Sequence, residues 1–475
     1  VSILLLPDTG PGIGLGHLAR CRAIGSVFEQ LGYTVRCVPS GDVESAAPVA
    51  DGDPPYAVAV VDSYRLNEAR ERAFGVRLAR QIIALDDLAD RRRHCDLLVN
   101  PSSTARRQDY ETLVAESCTV LCGPRFAPVH PAFRRSRVRS TSTGKGPGKE
   151  VARVFLSFGG GDAGALTAPC IAALRDEVDA IEIVVGSAAP SLHEIIAAAD
   201  ASCSGKARAT VHVDAGPEAV AELMRTCDLA IGAGGSMTWE RCSAGLPCLV
   251  SLVAENQAST VRAAVDAGAA IDCGRPEGGV ERIMAAFEGC RRAPALLSAM
   301  STAAAALCDG AGAFRIVAAC AGSEPLPAGG HVSLRPAVPD DAQWLFELQQ
   351  VPAIRRFSRQ TSAPSWSEHA AWLCSTLSGT QRNLFIIEHQ SASAGFIRLD
   401  RVAAEVGSRF EVSIGVDPSR HGQGIGRAAL KIVRRLASSA CLDAFVYEEN
   451  VASRRTFEAA GYGLVAPTVF RSMPQ

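Results

Sequence analysis

The sequence lacks any large excess of charge: 48 Lys and Arg stand against 50 Asp and Glu, a formal net charge of -2. That balance gives no electrostatic motive for binding nucleic acid or an anionic membrane surface, so neither partner is expected. Its apolar runs are short and interrupted, and no membrane-spanning segment is expected. The opening Val1-Ser2-Ile3 has neither a basic region nor a cleavage site, so no secretory signal is expected. Although 16 cysteines are present, no two form a C-x-x-C pair. Scattered mostly on apolar faces, they predict reduced core residues of a cytoplasmic protein, without a disulfide framework or a metal site. What is there is a chain of 475 residues, 47% hydrophobic and 21% charged, too long for one ordinary core. Two or three domains are expected.

From residue 1 to about 135, short apolar runs alternate with helical patterns. Ile3–Leu6, Tyr33–Val38, Tyr56–Asp62, Gln81–Asp87 and Cys95–Asn100 read as strands of a parallel sheet covered on both faces. The first leads into Gly10-Pro11-Gly12-Ile13-Gly14-Leu15-Gly16-His17-Leu18-Ala19-Arg20 and then a helix with Leu18, Cys21, Ile24, Val27, Phe28 and Leu31 on one face. Such a turn lets backbone approach a ligand and aims free N–H groups at negative charge. His17 stands at the helix entrance, with Arg20 one turn on. The helix dipole disfavours a cation there, so His17 is expected to lean neutral and accept a proton, as a general base beside a phosphate-bearing ligand. Ligands of parallel sheets sit beyond the carboxyl ends of the strands, which puts His17, Asp62, Tyr64, Asp86 and Asp87 on one predicted rim. For Asp86 and Asp87, capping a turn is favoured over metal binding.

Residues 134–150 are polar and basic and predict a flexible connector; no aromatic residue interleaves the charges as a nucleic-acid patch would require. A second alternation begins at Val151. Its strands Val154–Phe158 and Leu229–Ala233 run into the glycine turns Gly159-Gly160-Gly161 and Gly234-Gly235-Ser236. The second turn opens a helix whose N–H groups and Ser236 hydroxyl can hold a diphosphate, with Glu240 one turn on to accept both hydroxyls of a ribose. Asn256 and Gln257, past the strand Pro247–Val253, can bond sugar hydroxyls or amides; helix capping by Asn256 is the alternative. Two such sheets with facing rims would make a cleft spanned by a nucleotide-linked sugar.

The segments Gly14–Arg20, Ile83–Arg91, Leu156–Gly160 and Gly234–Arg241 resemble the UDP-sugar hydrolases of pseudaminic acid biosynthesis, over the first two thirds of the chain. The resemblance implies two Rossmann-like half-domains of glycosyltransferase-B type, here 1–140 and 150–320. It implies hydrolysis of UDP-2,4-diacetamido-2,4,6-trideoxy-β-L-altropyranose, without metal, with His17 as the base on water. Gly14, Gly16, Arg20, Asp62, Tyr64, Gly234, Gly235, Ser236, Glu240, Asn256 and Gln257 are the expected substrate-binding residues. The alternative is a glycosyltransferase resembling the one that adds N-acetylglucosamine to lipid intermediates.

Past a linker at Ala321–Gly330, a further strand and helix pattern runs to the end. Phe410–Pro418 feeds Ser419-Arg420-His421-Gly422-Gln423-Gly424-Ile425-Gly426, a cradle of backbone N–H groups suited to a pyrophosphate. With Asn450–Tyr462, this turn makes residues 331–475 resemble the GNAT acetyltransferase superfamily, which implies an α/β domain using acetyl-CoA. Val416, His421, Gly422, Gln423, Gly424, Ile425, Gly426, Asn450 and Ser453 are then the expected cofactor residues, and Glu411 a base for the incoming amine. Two positions depart from the superfamily's pattern: His421 replaces the loop's usual Arg or Gln, and Phe457 replaces the Tyr that often protonates the thiolate. The expected acceptor is a UDP-linked 4-amino sugar, the step before hydrolysis. A protein amine, or a sugar-binding module without catalysis, are the alternatives.

Overall fold

A computed structural model describes residues 1–10, 15–42, 56–135, 151–160, 166–202 and 205–474. The fold is α/β: two parallel six-stranded sheets and a third, mixed sheet of eight strands. In the first sheet, β1 (Ser2–Pro7), β2 (Thr34–Cys37), β3 (Tyr56–Asp62), β4 (Ala79–Leu85), β5 (Leu97–Asn100) and β6 (Thr119–Cys122) lie in the order 2-1-3-4-5-6. The second holds β7 (Arg153–Ser157), β8 (Ala180–Val185), β9 (Arg208–Val213), β10 (Leu229–Ala233), β11 (Cys248–Ser251) and β12 (Ala270–Asp272), ordered 12-11-10-7-8-9. The chain reverses its winding between β1 and β3 in one sheet and between β7 and β10 in the other. Such switch points open a crevice at the carboxyl ends of the strands.

Alternation along the strands builds the core. Ile3 and Leu5 of β1 join Val58 and Val60 of β3 on one face, under the helix Gly16–Gln30. Leu4, Leu6, Ala59 and Val61 fill the other face. The chain then crosses over twice. Ala127, Val129 and Phe133 enter the core of the second half, whereas the helix Gly312–Cys320, which follows that half in sequence, packs against the first. Gly312 permits this return, because a Cβ there would come 2.1 Å from the Ala127 carbonyl oxygen.

Pro294–Cys320 is, among the described residues, long and apolar enough to cross a membrane. It exceeds the short apolar runs expected from the sequence. The stretch breaks into helices Pro294–Leu307 and Gly312–Cys320, and 56% of its most apolar window is buried inside the protein. Its hydropathy reflects packing on two cores in succession. The 15 described cysteines are all free thiols, and most are buried.

The third sheet has the order 13-14-15-16-17-18-20-19: β13 (Glu324–Pro325), β14 (His331–Pro336), β15 (Arg382–His389), β16 (Ala392–Val402), β17 (Ser408–Val416), β18 (Ala440–Phe445), β19 (Gly463–Ala466) and β20 (Val469–Ser472). Its neighbours are antiparallel except β17 and β18, which pair in parallel over Ser408–Glu411 and Ala440–Asp443. Beyond Glu411 this pairing stops while β17 continues to Val416, so the two strands part.

Candidate functional site

His17 lies in the first turn of the helix that follows β1, 7% exposed. The β1–β3 register sets Pro7 beside Asp62, and this brings the Asp62 carboxylate to the imidazole. Nδ1 of His17 lies 2.6 Å from Oδ1 of Asp62. With Nδ1 as the donor in that bond, Nε2 is the nitrogen left to take a proton. Arg20 closes the group from one helical turn away. Its Nε and Nη2 donate to the two Asp62 oxygens at 2.8 and 2.9 Å, and its Nη1 donates to Asp87 at 2.8 Å. The Tyr64 hydroxyl donates to Asp87 at 2.8 Å, while its ring meets the His17 ring edge-on at 4.8 Å.

Arg20 and Asp62, expected to touch substrate, are thus bonded to one another and to the rim. Burial raises the Asp87 carboxyl, but the Arg20 guanidinium outweighs it, and the group is held below the usual carboxylate range. Burial, with Asp87 beside it, pushes the Tyr64 phenol up. Asp86 faces inward: its Oδ2 accepts from the Ala89 N–H and the Tyr110 hydroxyl, each at 2.8 Å. It caps the turn.

Asp8 joins the rim without any motif in the sequence that marks it. This buried carboxylate accepts the Tyr64 N–H at 2.8 Å and the Ser40 hydroxyl. Burial raises it, but hydrogen bonds from Ser40, Ser63 and Tyr64 bring it below its ordinary value. Its position after the apolar run of β1 was the available signal. Gly14 lies outside the described residues.

The second half meets this rim directly. A Cβ on Gly16 would stand 3.4 Å from the Ser236 hydroxyl, and one on Gly160 would stand 2.9 Å from the Leu15 side chain. The two switch points therefore face each other across a narrow gap. Ser236 precedes the helix Met237–Ala244 with its hydroxyl uninvolved in capping. The first bonds of that turn run from Thr238 N–H to Gly235 and from Trp239 N–H to Ser236, so Gly235, Ser236 and Met237 present N–H groups ahead of the helix. Gly234 does not share this role: its N–H donates to the Ser251 carbonyl at 3.2 Å. The offer of N–H groups begins one residue later than expected.

Glu240 is half-buried, and burial pushes its carboxyl up to about 7 against the opposing charge of Arg241. Gln257 lies with Nε2 3.6 Å from where a Gly235 Cβ would be, and its Oε1 is buried without a partner. Asn256 is exposed, and neither helix beside it is capped by its side chain, so the capping alternative is not realised. Among the described residues, no group of three or more His, Cys, Asp or Glu is arranged to hold a metal ion.

A separate cradle lies where β17 and β18 part. Gly422 and Gly424 take φ of 78° and 83°, the left-handed region open to glycine, and lead into the helix Ile425–Leu436. Ile425 is buried, Gln423 is exposed, and Gly426 lies against Val416 and Thr456. His421 folds back, Nε2 lying 3.0 Å from the Val416 carbonyl oxygen. Asn450 caps the helix Val451–Ala459, its Oδ1 accepting from the Ser453 N–H at 3.2 Å. Phe457 is core, edge-on to Tyr462 and stacked on Phe470. Glu411, half-buried, accepts from Arg359 Nη2 at 2.7 Å.

Residues 331–463 match the acetyltransferase (GNAT) domain family, and the chain carries a GNAT acetyltransferase domain there. The N-terminal part is partly homologous to proteins of sugar biosynthesis. Over 160 residues, 33% of this chain and 44% of the relative, it is 31% identical to the spore coat polysaccharide biosynthesis protein SpsG of Bacillus subtilis. Over 148 residues, 28% of this chain and 53% of the relative, it is 24% identical to the UDP-2,4-diacetamido-2,4,6-trideoxy-beta-L-altropyranose hydrolase of Campylobacter jejuni. The chain spans about half the length of these curated relatives. Among solved structures, it is similar to Mycobacterium smegmatis RimJ in complex with CoA-disulfide (21% identity, 32% of this chain and 83% of that one, TM-score 0.27). It is also similar to the GNAT domain of S. lividans PAT (20% identity, 31% and 93%, TM-score 0.27). At such scores the likeness adds nothing to the family match.

Proposed function

We propose that the chain performs two consecutive reactions on a nucleotide sugar. The C-terminal domain transfers acetyl from acetyl-CoA to the 4-amino group of a UDP-linked 4-amino sugar. The two Rossmann-like halves then hydrolyse the product, UDP-2,4-diacetamido-2,4,6-trideoxy-β-L-altropyranose, to UDP and free sugar. The carrying observation is that the Asp62-bonded His17 follows directly on Gly16, which stands opposite Ser236 across the gap. His17 Nε2 takes a proton from water as its oxygen bonds to the anomeric carbon and the carbon–oxygen bond to UDP breaks. General-base help of this kind is worth about 100- to 10,000-fold. Charge developing on UDP is met by the N–H groups of Gly235, Ser236 and Met237. Glu240 and Gln257 take ribose or sugar hydroxyls, and no metal takes part.

In the acetyltransferase domain the N–H groups of Gly422–Gly426 hold the coenzyme pyrophosphate, and Glu411 takes the amine proton once Arg359 swings aside. With Phe457 in the core, solvent protonates the departing thiolate. The chain acts in the cytoplasm, without nucleic acid or membrane as partners. Full-length protein, incubated with the UDP-4-amino sugar and followed by mass spectrometry, tests the pairing. UDP is expected only when acetyl-CoA is also present. UDP release from the unacetylated sugar, or acetylation of a peptide amine in preference to the sugar, would contradict it.

A further inference from the structure

Arg241 follows Glu240 in the helix Met237–Ala244 and is 1% exposed. Its Nη2 donates to the Ala233 carbonyl at 2.5 Å and to the Thr238 hydroxyl at 3.0 Å. Nε and Nη1 are buried without a hydrogen-bond partner. The guanidinium lies between the ends of β7 and β10: a Cβ on Gly232 would come 2.7 Å from Nη1 and 2.0 Å from the Ser157 carbonyl oxygen. Both flanking strands end in the glycine turns that meet Leu15 and Gly16 across the gap.

A cation taken out of water and left with open donors is costly, and a fold keeps one where a further negative charge completes it. The adjacent Glu240 is an incomplete counter-charge near neutral pH, because burial raises its carboxyl to about 7. Ala233 directly precedes the turn: the bond from Arg241 to its carbonyl and the bond from the Gly234 N–H to the Ser251 carbonyl pin both sides of one peptide, anchoring the turn whose next N–H groups are those of Gly235 and Ser236. In a low-dielectric setting, a fixed charge behind a turn adds to the field of those N–H groups.

We propose that Arg241 is a positioning residue for diphosphate, its buried charge making the turn at Gly235–Ser236 selective for pyrophosphate-bearing over uncharged nucleoside ligands. The proposal rests on the reading of that turn as a diphosphate site. It acts through Ala233 and the local field, without contact.

The test uses full-length wild type, R241K and R241Q, titrated with UDP and with uridine. R241K keeps the charge; R241Q keeps a donor for Ala233 but not the charge. R241Q is expected to weaken UDP binding about tenfold or more while R241K weakens it only a few-fold. Uridine affinity stays at the wild-type value in both. Equal UDP affinity for R241K and R241Q overturns the proposal, as does a parallel loss of uridine binding, which marks a purely structural role. Wild type that binds uridine but not UDP brings down the diphosphate reading itself, a different outcome from either.

Discussion

At the scale of the residue, the first half of the site is organised by two side chains whose partners sit far away in sequence. His17 and Arg20 were legible as a helical pair, three positions apart on one face. Their shared carboxylate was legible only as a rim position. Asp62 is 45 residues from His17, and the parallel register of β1 and β3 joins them. Asp87 was readable as a strand-end acid, but nothing in its neighbourhood announced the bonds from Arg20 and Tyr64. Asp86, beside it, fits the turn-capping expectation because its Oδ2 accepts the Ala89 N–H.

Glu240 yields a pH prediction. Its folded carboxyl titrates at about 7 against an ordinary value of 4.5. Between those values the folded state holds more protons than the unfolded one, so stability falls as pH rises through that window and stays lost above it. The shift amounts to at most about 3 kcal/mol. Glu240→Gln removes this loss. Scanning calorimetry on ligand-free protein is expected to show the variant melting higher than wild type at pH 8, with the gap closing by pH 5. A constant gap across that range would contradict the assignment.

At the scale of the element, the helix Gly16–Gln30 serves both ends of the molecule. His17 is in its first turn, and its last turn receives the acetyltransferase domain. Arg401 Nη2 donates to the Gln30 carbonyl at 2.9 Å, and the Tyr33 hydroxyl bonds Ser438 and the Arg435 carbonyl. Gly32 makes the close approach possible: its φ is 95°, and a Cβ would come 2.6 Å from that of Ser408. Gly32→Ala is therefore expected to lower stability by roughly 1–3 kcal/mol. It should also loosen the docking, read as faster proteolytic separation of the C-terminal domain. An unchanged cleavage rate would show that the junction does not depend on this glycine. Strands were legible wherever an apolar run was long. The three residues of β12 and the four of β6 were not, because tertiary pairing, not pattern, holds such short segments extended. The return of Gly312–Cys320 to the first half was likewise invisible, since an apolar helix does not announce which core it joins.

At the scale of the whole molecule, the two candidate sites lie at the far ends of two helices. Gly16–Gln30 and Ile425–Leu436 begin at them, and their C-terminal ends meet around Tyr33. At 1.5 Å per residue these helices are about 22 and 18 Å long. The junction therefore separates the two candidate sites, and on the proposed reading a product of one reaches the other by leaving its site.

The most direct test of hydrolysis by water is turnover of the UDP-linked diacetamido sugar in ¹⁸O-labelled water without any acceptor, comparing wild type with His17→Asn. Wild type is predicted to release UDP free of label, because the carbon–oxygen bond breaks at the sugar, while the variant binds the substrate and releases almost none. Labelled UDP, an acceptor requirement, or near-normal turnover by the variant would contradict the account.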